Sequence, residues 1–321
     1  MNIFHSSAWA AVLSLSYGYK PLYFSLFDGT DIEAVLPVME VRSLFTGCRG
    51  VSLPFTDICA PLTGSSSSFT CLWEKAIEYG KIHDWKFIEL RGGESFLPAA
   101  VPSLIFFSHT LRLSPDPDRV FSSLTKTTQR AINKAKKENV EVRASSSLEF
   151  LNEFYRLQIL TRKRHGLPPQ PYRFFKLLHD HVVSNSLGLV ILAYWKDRCV
   201  AGAVCLHSDD KAIYKYAASD FRYQHLRPNN LVMWEAIRYY CLNGFTTFCL
   251  GRTEPENTGL RHFKAGWGAR EEIIKYFRYD LQTGYFSGGE RNLNLPGRRL
   301  FTLLPTPLLP LLGYLFYRHA G

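Results

Sequence analysis

The sequence predicts an α/β fold, mixed α+β in detail, built from two related halves. Three observations predict it. Short apolar runs rich in Phe, Thr and Val, bounded by Gly, Pro and Asp turns, alternate with longer helical patterns along most of the 321 residues. The hydrophobic fraction is 46%, with 14% aromatic residues, enough to fill two cores and too much for a disordered chain. Finally, a helix–strand unit recurs. LWEKAIEYGKIHDWKFIELRGG and MWEAIRYYCLNGFTTFCLGRT both read as helix, then strand, then an arginine beside a glycine.

Element by element, residues 5–17 read as a first helix. Strands follow near 20–27 and 32–42 around the Asp28-Gly29 turn, a hairpin signal. Gly50 to Phe55 reads as another short strand, Gly64 to Ser68 as a loop, and Phe69 to Ile82 as a helix. Trp85 to Leu90 and Ser103 to Leu113 read as strands, and Pro115-Asp116-Pro117 breaks the chain. The domain boundary is placed there: residues 1–113, then 114–282, then an apolar, proline-rich tail at 283–321.

The second half repeats the scheme. A basic helix is expected over 123–139, another over 147–164, and a third over 172–184 after Pro168-Pro169. Strands are expected at 187–195, 199–207 and 211–218. A helix begins at Pro228, its favoured first position, and runs to Leu242. The Phe245 strand and a last strand at 270–280 complete the set.

Charge is unevenly spread. Residues 1–110 hold 7 Lys and Arg against 10 Asp and Glu, while the remainder holds 31 against 18. A basic second half suits an anionic partner: a nucleic acid, a nucleotide or lipid phosphate, or an acidic membrane surface. The seven cysteines are scattered, without a CxxC pair, and read as small core residues in a reducing compartment. No Cys/His group has ligand spacing, so no metal is expected. There is no GxSxG elbow, no P-loop and no GxGxxG. Covalent, NTP-hydrolysing and dinucleotide chemistries therefore have no visible apparatus. Transfer of an activated acyl group to an amine needs none, because the amine is itself the nucleophile and the protein positions it and stabilises an oxyanion.

Within GFTTFCLGRTEPENTGLRHFKAGWGAR, a strand end delivers Arg252 and a short helix delivers Phe263 and Lys264, closed by Gly266-Trp267-Gly268. Asn229 and Asn230 open a helix whose first-turn amides could hold an anion. Lys126, Arg130, Lys134 and Lys137, spaced 4, 4 and 3, share one helix face. Arg162-Lys163-Arg164-His165 could extend that patch.

These motifs, with RAINKAKKENVEV, YKYAASDFRYQHLRPNNLVMWEAIRYY, SSAWAAVLSLSYGYKP, AVLPV and VSLPFTDICAPL in the same order, resemble the FemAB-like family over roughly residues 4 to 280. The resemblance implies two tandem GNAT-like (acyl-CoA N-acyltransferase) domains and an N-acyl or aminoacyl transferase. The site in the second domain would have Lys264 and Arg252 as catalytic residues. Asn229, Asn230, Phe263, Trp267 and Tyr216 would bind substrate, and the basic helix face an anion. It matches the FemX-type Phe-Lys pair residue for residue. No cofactor is expected to stay bound. The donor is aminoacyl-tRNA or acyl-CoA, and the glycine-free run Phe221 to Leu226 departs from the pyrophosphate loop of acetyl-CoA enzymes. The acceptor is a phosphate-bearing precursor of peptidoglycan or exopolysaccharide.

Residues 300–317 carry no charge, are flanked by arginines and contain Pro305, Pro307 and Pro310. The prolines argue against a transmembrane helix, and an interfacial segment on the inner membrane surface is expected. The competing expectation is a tail packed over the second domain. The short apolar run at Ala8 to Leu15 lacks the basic start of a secretory leader. The expected state is a cytoplasmic monomer, peripheral on the membrane.

Overall fold

The computed structural model describes residues 2–288 and 298–319. In the first half, α1 (Ser7–Tyr17) precedes an antiparallel meander of β1 (Lys20–Asp28), β2 (Asp31–Ser43) and β3 (Gly47–Val51). The helix α2 (Ser66–Ile82) then returns the chain to β4 (Trp85–Arg91), parallel to β3. β5 (Leu104–Arg112) ends the half. The boundary expected after Leu113 falls between β5 and α3 (Pro117–Ser123).

The second half runs through α4 (Lys126–Lys137), β6 (Glu141–Ser145), α5 (Leu148–Arg164) and α6 (Tyr172–Leu178). It repeats the antiparallel meander with β7 (Gly188–Trp195), β8 (Arg198–Ser208) and β9 (Lys211–Ser219). α7 (Pro228–Leu242) then leads to β10 (Thr247–Thr253), parallel to β9. α8 (Thr258–Ala265) and β11 (Arg270–Asp280) follow, and α9 (Arg298–Leu303) and α10 (Leu308–Tyr317) make the tail.

One sheet of eleven strands joins everything, in the order β1-β2-β3-β4-β11-β5-β10-β9-β8-β7-β6. The last strand, β11, lies between β4 and β5 of the first half, antiparallel to both, and β5 lies against β10 of the second. Each half therefore completes its sheet with a strand from the other.

Side-chain alternation explains the layers. In β7 and β8, Val190, Leu192, Val204 and Leu206 pack on α1, α5 and α6, while Ile191, Ala193, Ala203 and Cys205 pack on α4 and α7. Both faces are thus buried, as the unbroken apolar runs of these strands require. A third core lies between α2 and the first-half strands.

The structure differs from the sequence reading in four places. β3 ends at Val51, and the expected strand residues 52–55 form turns in which Leu53 and Phe55 take positive φ (49° and 61°). α3 fills the stretch read as a break, because Pro117 at its first turn starts a helix as readily as it ends one, with Asp116 as the cap. The edge strand β6 was not read, being short and charged. The helix expected over 172–184 is regular only to Leu178 and continues as a wider turn over His179–Val183.

Candidate active site

β9 and β10 pair in parallel over only three positions, Thr247–Cys249 against Lys211–Ile213. Beyond Cys249 a bulge in the register with β5 and the positive φ of Gly251 (74°) turn β10 away. The two strands splay, and a cleft of about 1260 Å³ opens between them. Its walls come from β9, β10, α8, and the starts of α4 and α7, with Asp57 entering from the first half.

Lys264 lies at the floor, only 4% exposed. Its Nζ donates to the carbonyl oxygens of Gly251 (2.7 Å), in the bulge, and Arg252 (3.1 Å), just past it. An ammonium has three donors, and these two bonds leave one unspent among the described residues. Burial pulls the Lys264 amine down to about 8, so it exchanges its proton near neutral pH.

Two fixings hold this lysine. Asn257 caps α8 by accepting from Leu260 N, and Arg261 binds Glu271 on β11 with both nitrogens (2.7 and 3.0 Å). At the other end of α8, the Gly266 carbonyl accepts from Thr125 N and from the Thr125 and Thr128 hydroxyls at the start of α4. A Cβ at residue 266 would stand 2.8 Å from Thr128 Oγ1, which is why glycine follows the helix.

Arg252 stacks on Phe106 (4.3 Å to the ring centre) and donates to Tyr276 Oη at 2.6 Å. Tyr276 in turn donates to the carbonyl of Asp57 at 2.7 Å. The Asp57 carboxylate accepts from Lys215 Nζ at 2.8 Å, both groups being buried. Burial pushes the Asp57 carboxyl up, but Lys215, Arg252 and Lys264 together hold it below the usual carboxylate range. Burial lowers Lys215, with Asp57 pulling the other way.

The walls are cationic. Seven lining residues are Lys or Arg, and among the described residues Asp57 is the one carboxylate lining the cleft, so the cavity selects anions. Arg130 and Lys134 of α4 face it, together with Arg164, His165 and Arg227. α7 points its N-terminus at the cleft, with Pro228, Asn229 and Asn230 in the wall. Arg227, at φ 62°, holds the cap position of α7, and the Asn229 side chain donates to Ser219 Oγ.

The predicted residues thus divide. Lys264, Arg252, Phe263, Asn229, Asn230, Arg130 and Lys134 converge on the cleft. Lys126 and Lys137 are exposed on α4 outside its walls. Two substrate-binding expectations are corrected. Trp267 is fully buried in the core under α4 and α7, edge-on to Phe263. Tyr216 turns to the opposite face of β9 from the cleft-lining Tyr214, between Phe174 and Phe175, because the register with β8 shifts at Lys215 and reverses the alternation. Asp57, Lys215 and Tyr276 were missed. The motif VSLPFTDICAPL held the signal for Asp57, and the pair of non-glycine residues at positive φ just before it marks the loop as specially shaped. Among the described residues no group of His, Cys, Asp and Glu could hold a metal.

The patch suggested at 162–165 splits as well. Arg164 and His165 reach the cleft, whereas Arg162 binds Tyr317 Oη (2.6 Å) and Lys163 binds Thr306 Oγ1 (3.4 Å) of the tail.

Residues 122–265 match the model of the acetyltransferase (GNAT) domain family. No curated protein matches the sequence. Among solved structures, that of FemX superposes with a TM-score of 0.68 at 13% identity, covering 88% of this chain and 92% of that one. The C-terminal domain of an Agrobacterium fabrum protein given the name lysylphosphatidylglycerol synthetase gives 0.57 at 12% identity, covering 85% and 87%. A tandem GNAT protein from the clavulanic acid biosynthesis pathway gives 0.52 at 10%, covering 80% and 82%. The chain thus has a tandem GNAT fold with the architecture of FemX, and residues 122–265 of its second half match the GNAT domain.

Proposed function

We propose that the chain transfers an aminoacyl group from aminoacyl-tRNA to an amine of a phosphate-bearing cell-envelope precursor, on the cytoplasmic side of the membrane. The observation that carries the reading is Lys264: buried at the floor of an anion-selective cleft, aimed by the Gly251 and Arg252 carbonyls, with one donor left to give. The names of two structural neighbours, FemX and lysylphosphatidylglycerol synthetase, agree with aminoacyl transfer in envelope synthesis.

In this reading the acceptor amine, entering neutral, attacks the ester carbon of the donor. A C–N bond forms, the C–O bond to the ribose breaks, and the amine's proton ends on the leaving hydroxyl. Protonated Lys264 stabilises the oxyanion that develops between these events. Arg130, Lys134, Arg164 and Arg227 hold donor or acceptor phosphates, and Arg252 and Asp57 fix the floor. Phe263, Asn229 and Asn230 shape the acyl pocket.

An acyl-CoA donor is the second reading, favoured by the acetyltransferase family match over residues 122–265. Against it stands the approach to α7, where the 3-10 turn Phe221–Leu226 contains no glycine to let a backbone close on a pyrophosphate.

The test is the thermal shift of the purified protein with aminoacyl-tRNA, acetyl-CoA and a UDP-linked muramyl peptide, with Lys264→Ala in parallel for transfer. Stabilisation by tRNA or the UDP-linked peptide, together with transfer at least about 100-fold slower in a folded Lys264→Ala, is expected. Stabilisation by acetyl-CoA alone would replace this reading with the second.

A further inference from the structure

The tail is neither a membrane span nor a free end. Among the described residues no helix is long and apolar enough to cross a membrane. α10 is a docked helix: Leu309 is fully buried and Gly313 lies against the Pro169 carbonyl so closely that no Cβ fits. Tyr317 accepts from Arg162 and stacks near Phe55, while its carbonyl accepts from Tyr19 Oη. At the end, the His319 carbonyl accepts from Arg49 and its ring lies 4.7 Å from Phe45. The helix therefore straps both halves together. Its prolines fit because Pro307 caps it and Pro310 sits in the first turn, where the N–H has no partner in the helix.

Residues 309, 313 and 317 form the inward stripe, so residues 308, 311, 314 and 315 form the outward one. All four outward side chains are apolar or aromatic and about half exposed. The β2–β3 turn beside His319 adds Leu44, 93% exposed, and Phe45, 73% exposed. A monomer seldom leaves such a contiguous apolar face open. In the sequence Arg298 and Arg299 precede the uncharged run 300–317 and Arg318 follows it, with no Asp or Glu among them.

We infer that the outward face of α10, with the Leu44–Phe45 turn, docks the protein on an anionic lipid surface. Apolar side chains with a tyrosine at the rim and basic flanks are the composition of an interfacial helix. Basic flanks without an acid between them suit anionic headgroups directly, whereas a protein partner would have to bring acids of its own to meet them. Arg162 and Lys163 grip the tail while the next two residues, Arg164 and His165, line the cleft. Docking thus sets the cleft's rim beside the lipid headgroups.

The test is sedimentation of the full chain with vesicles of phosphatidylcholine alone and with a quarter phosphatidylglycerol. The expected result is binding to the anionic vesicles, at least tenfold weaker on phosphatidylcholine alone. Leu311→Glu/Leu315→Glu and, separately, Leu44→Glu should each reduce it at least tenfold. All three sites are exposed, and an unchanged melting temperature shows the variants folded. No binding by the wild-type chain, or binding that the variants leave intact, overturns the inference. A concentration-dependent rise in mass that the variants abolish, without vesicle binding, assigns the face to a second copy and also overturns it. Because nothing here reads acyl transfer, the outcome is independent of the donor and acceptor proposed above.

Discussion

The two halves use one unit in opposite ways. In the first, β3 pairs with β4 up to its last residue, Val51, and the chain after it stitches the gap beyond: Ser52 N donates to the Glu89 carbonyl and Cys59 N to that of Arg91. In the second, the matching strands β9 and β10 part after three residues, and the gap becomes the cleft. The arginines at the strand ends follow suit. Arg91 is absorbed by the structure, bound to Glu89 and to the Leu53 and Thr56 carbonyls. Arg252 faces the cavity. Both guanidinium groups lie over the same ring, Tyr276, at 5.3 and 5.5 Å. Tyr276 belongs to the strand that passes between the halves, so the closed site braces the open one. A duplicated unit keeps its scaffold in both copies, and a difference of a few hydrogen bonds decides which becomes a site.

That contrast can be broken experimentally. The largest effect is expected from exchanging the roles of the two arginines. Arg91→Ala removes a buried ion pair with Glu89 and the bonds to the Leu53 and Thr56 carbonyls, and should lower stability by about 3–5 kcal/mol, seen as a large drop in melting temperature. Arg252→Ala, whose hydrogen bond goes to a neutral tyrosine, should cost about 1–2 kcal/mol and act mainly on transfer. Equal stability losses in the two variants would end the distinction.

A smaller effect is expected at the Asp57–Lys215 pair, which ties the first half's loop into the second half's cleft. Lys215→Met should destabilise by about 3 kcal/mol. Asp57 is held below its ordinary value, so its contribution is complete above about pH 4, where an unfolded Asp is ionised, and is lost as the pH falls through the lower folded value. Asp57→Asn should therefore flatten the acid limb of a denaturant-unfolding series and leave the alkaline limb alone.

The subtlest test is alkaline. Lys264 titrates at about 8, and only its protonated form can stabilise an oxyanion. Transfer should fall as pH rises through about 8. Lys264→Arg, if it retains transfer, should carry that fall upward, because guanidinium keeps its proton. A profile that ignores the substitution would take the proton from this lysine.

Much of the fold was legible because it rests on local pattern. The helix–strand repeat named both parallel units, and apolar runs placed β7 to β10. What was not legible depends on tertiary pairing. No period in the sequence says that β11 enters between β4 and β5. Nor does any local signal bring Asp57 beside Lys215 across 158 positions. Lys264 and Arg252 could be picked out because their motif is compact. Trp267 and Tyr216 misled for a physical reason: an aromatic residue beside a site motif packs the wall's far side as readily as its lining, and a bulge at Lys215, invisible in the sequence, turns Tyr216 away from the cleft.

The crossing strands also govern how the molecule comes into being. During synthesis the first 112 residues contain four of the sheet's neighbouring strands and then β5, but β4 and β5 are not neighbours, and both wait for β11. Until residue 280 leaves the ribosome, each therefore exposes an open edge, and Phe106 lacks its β11 partners Ile274 and Tyr276. Assembly is accordingly delayed and non-local, the circumstance in which chains fold slowly and depend on chaperones.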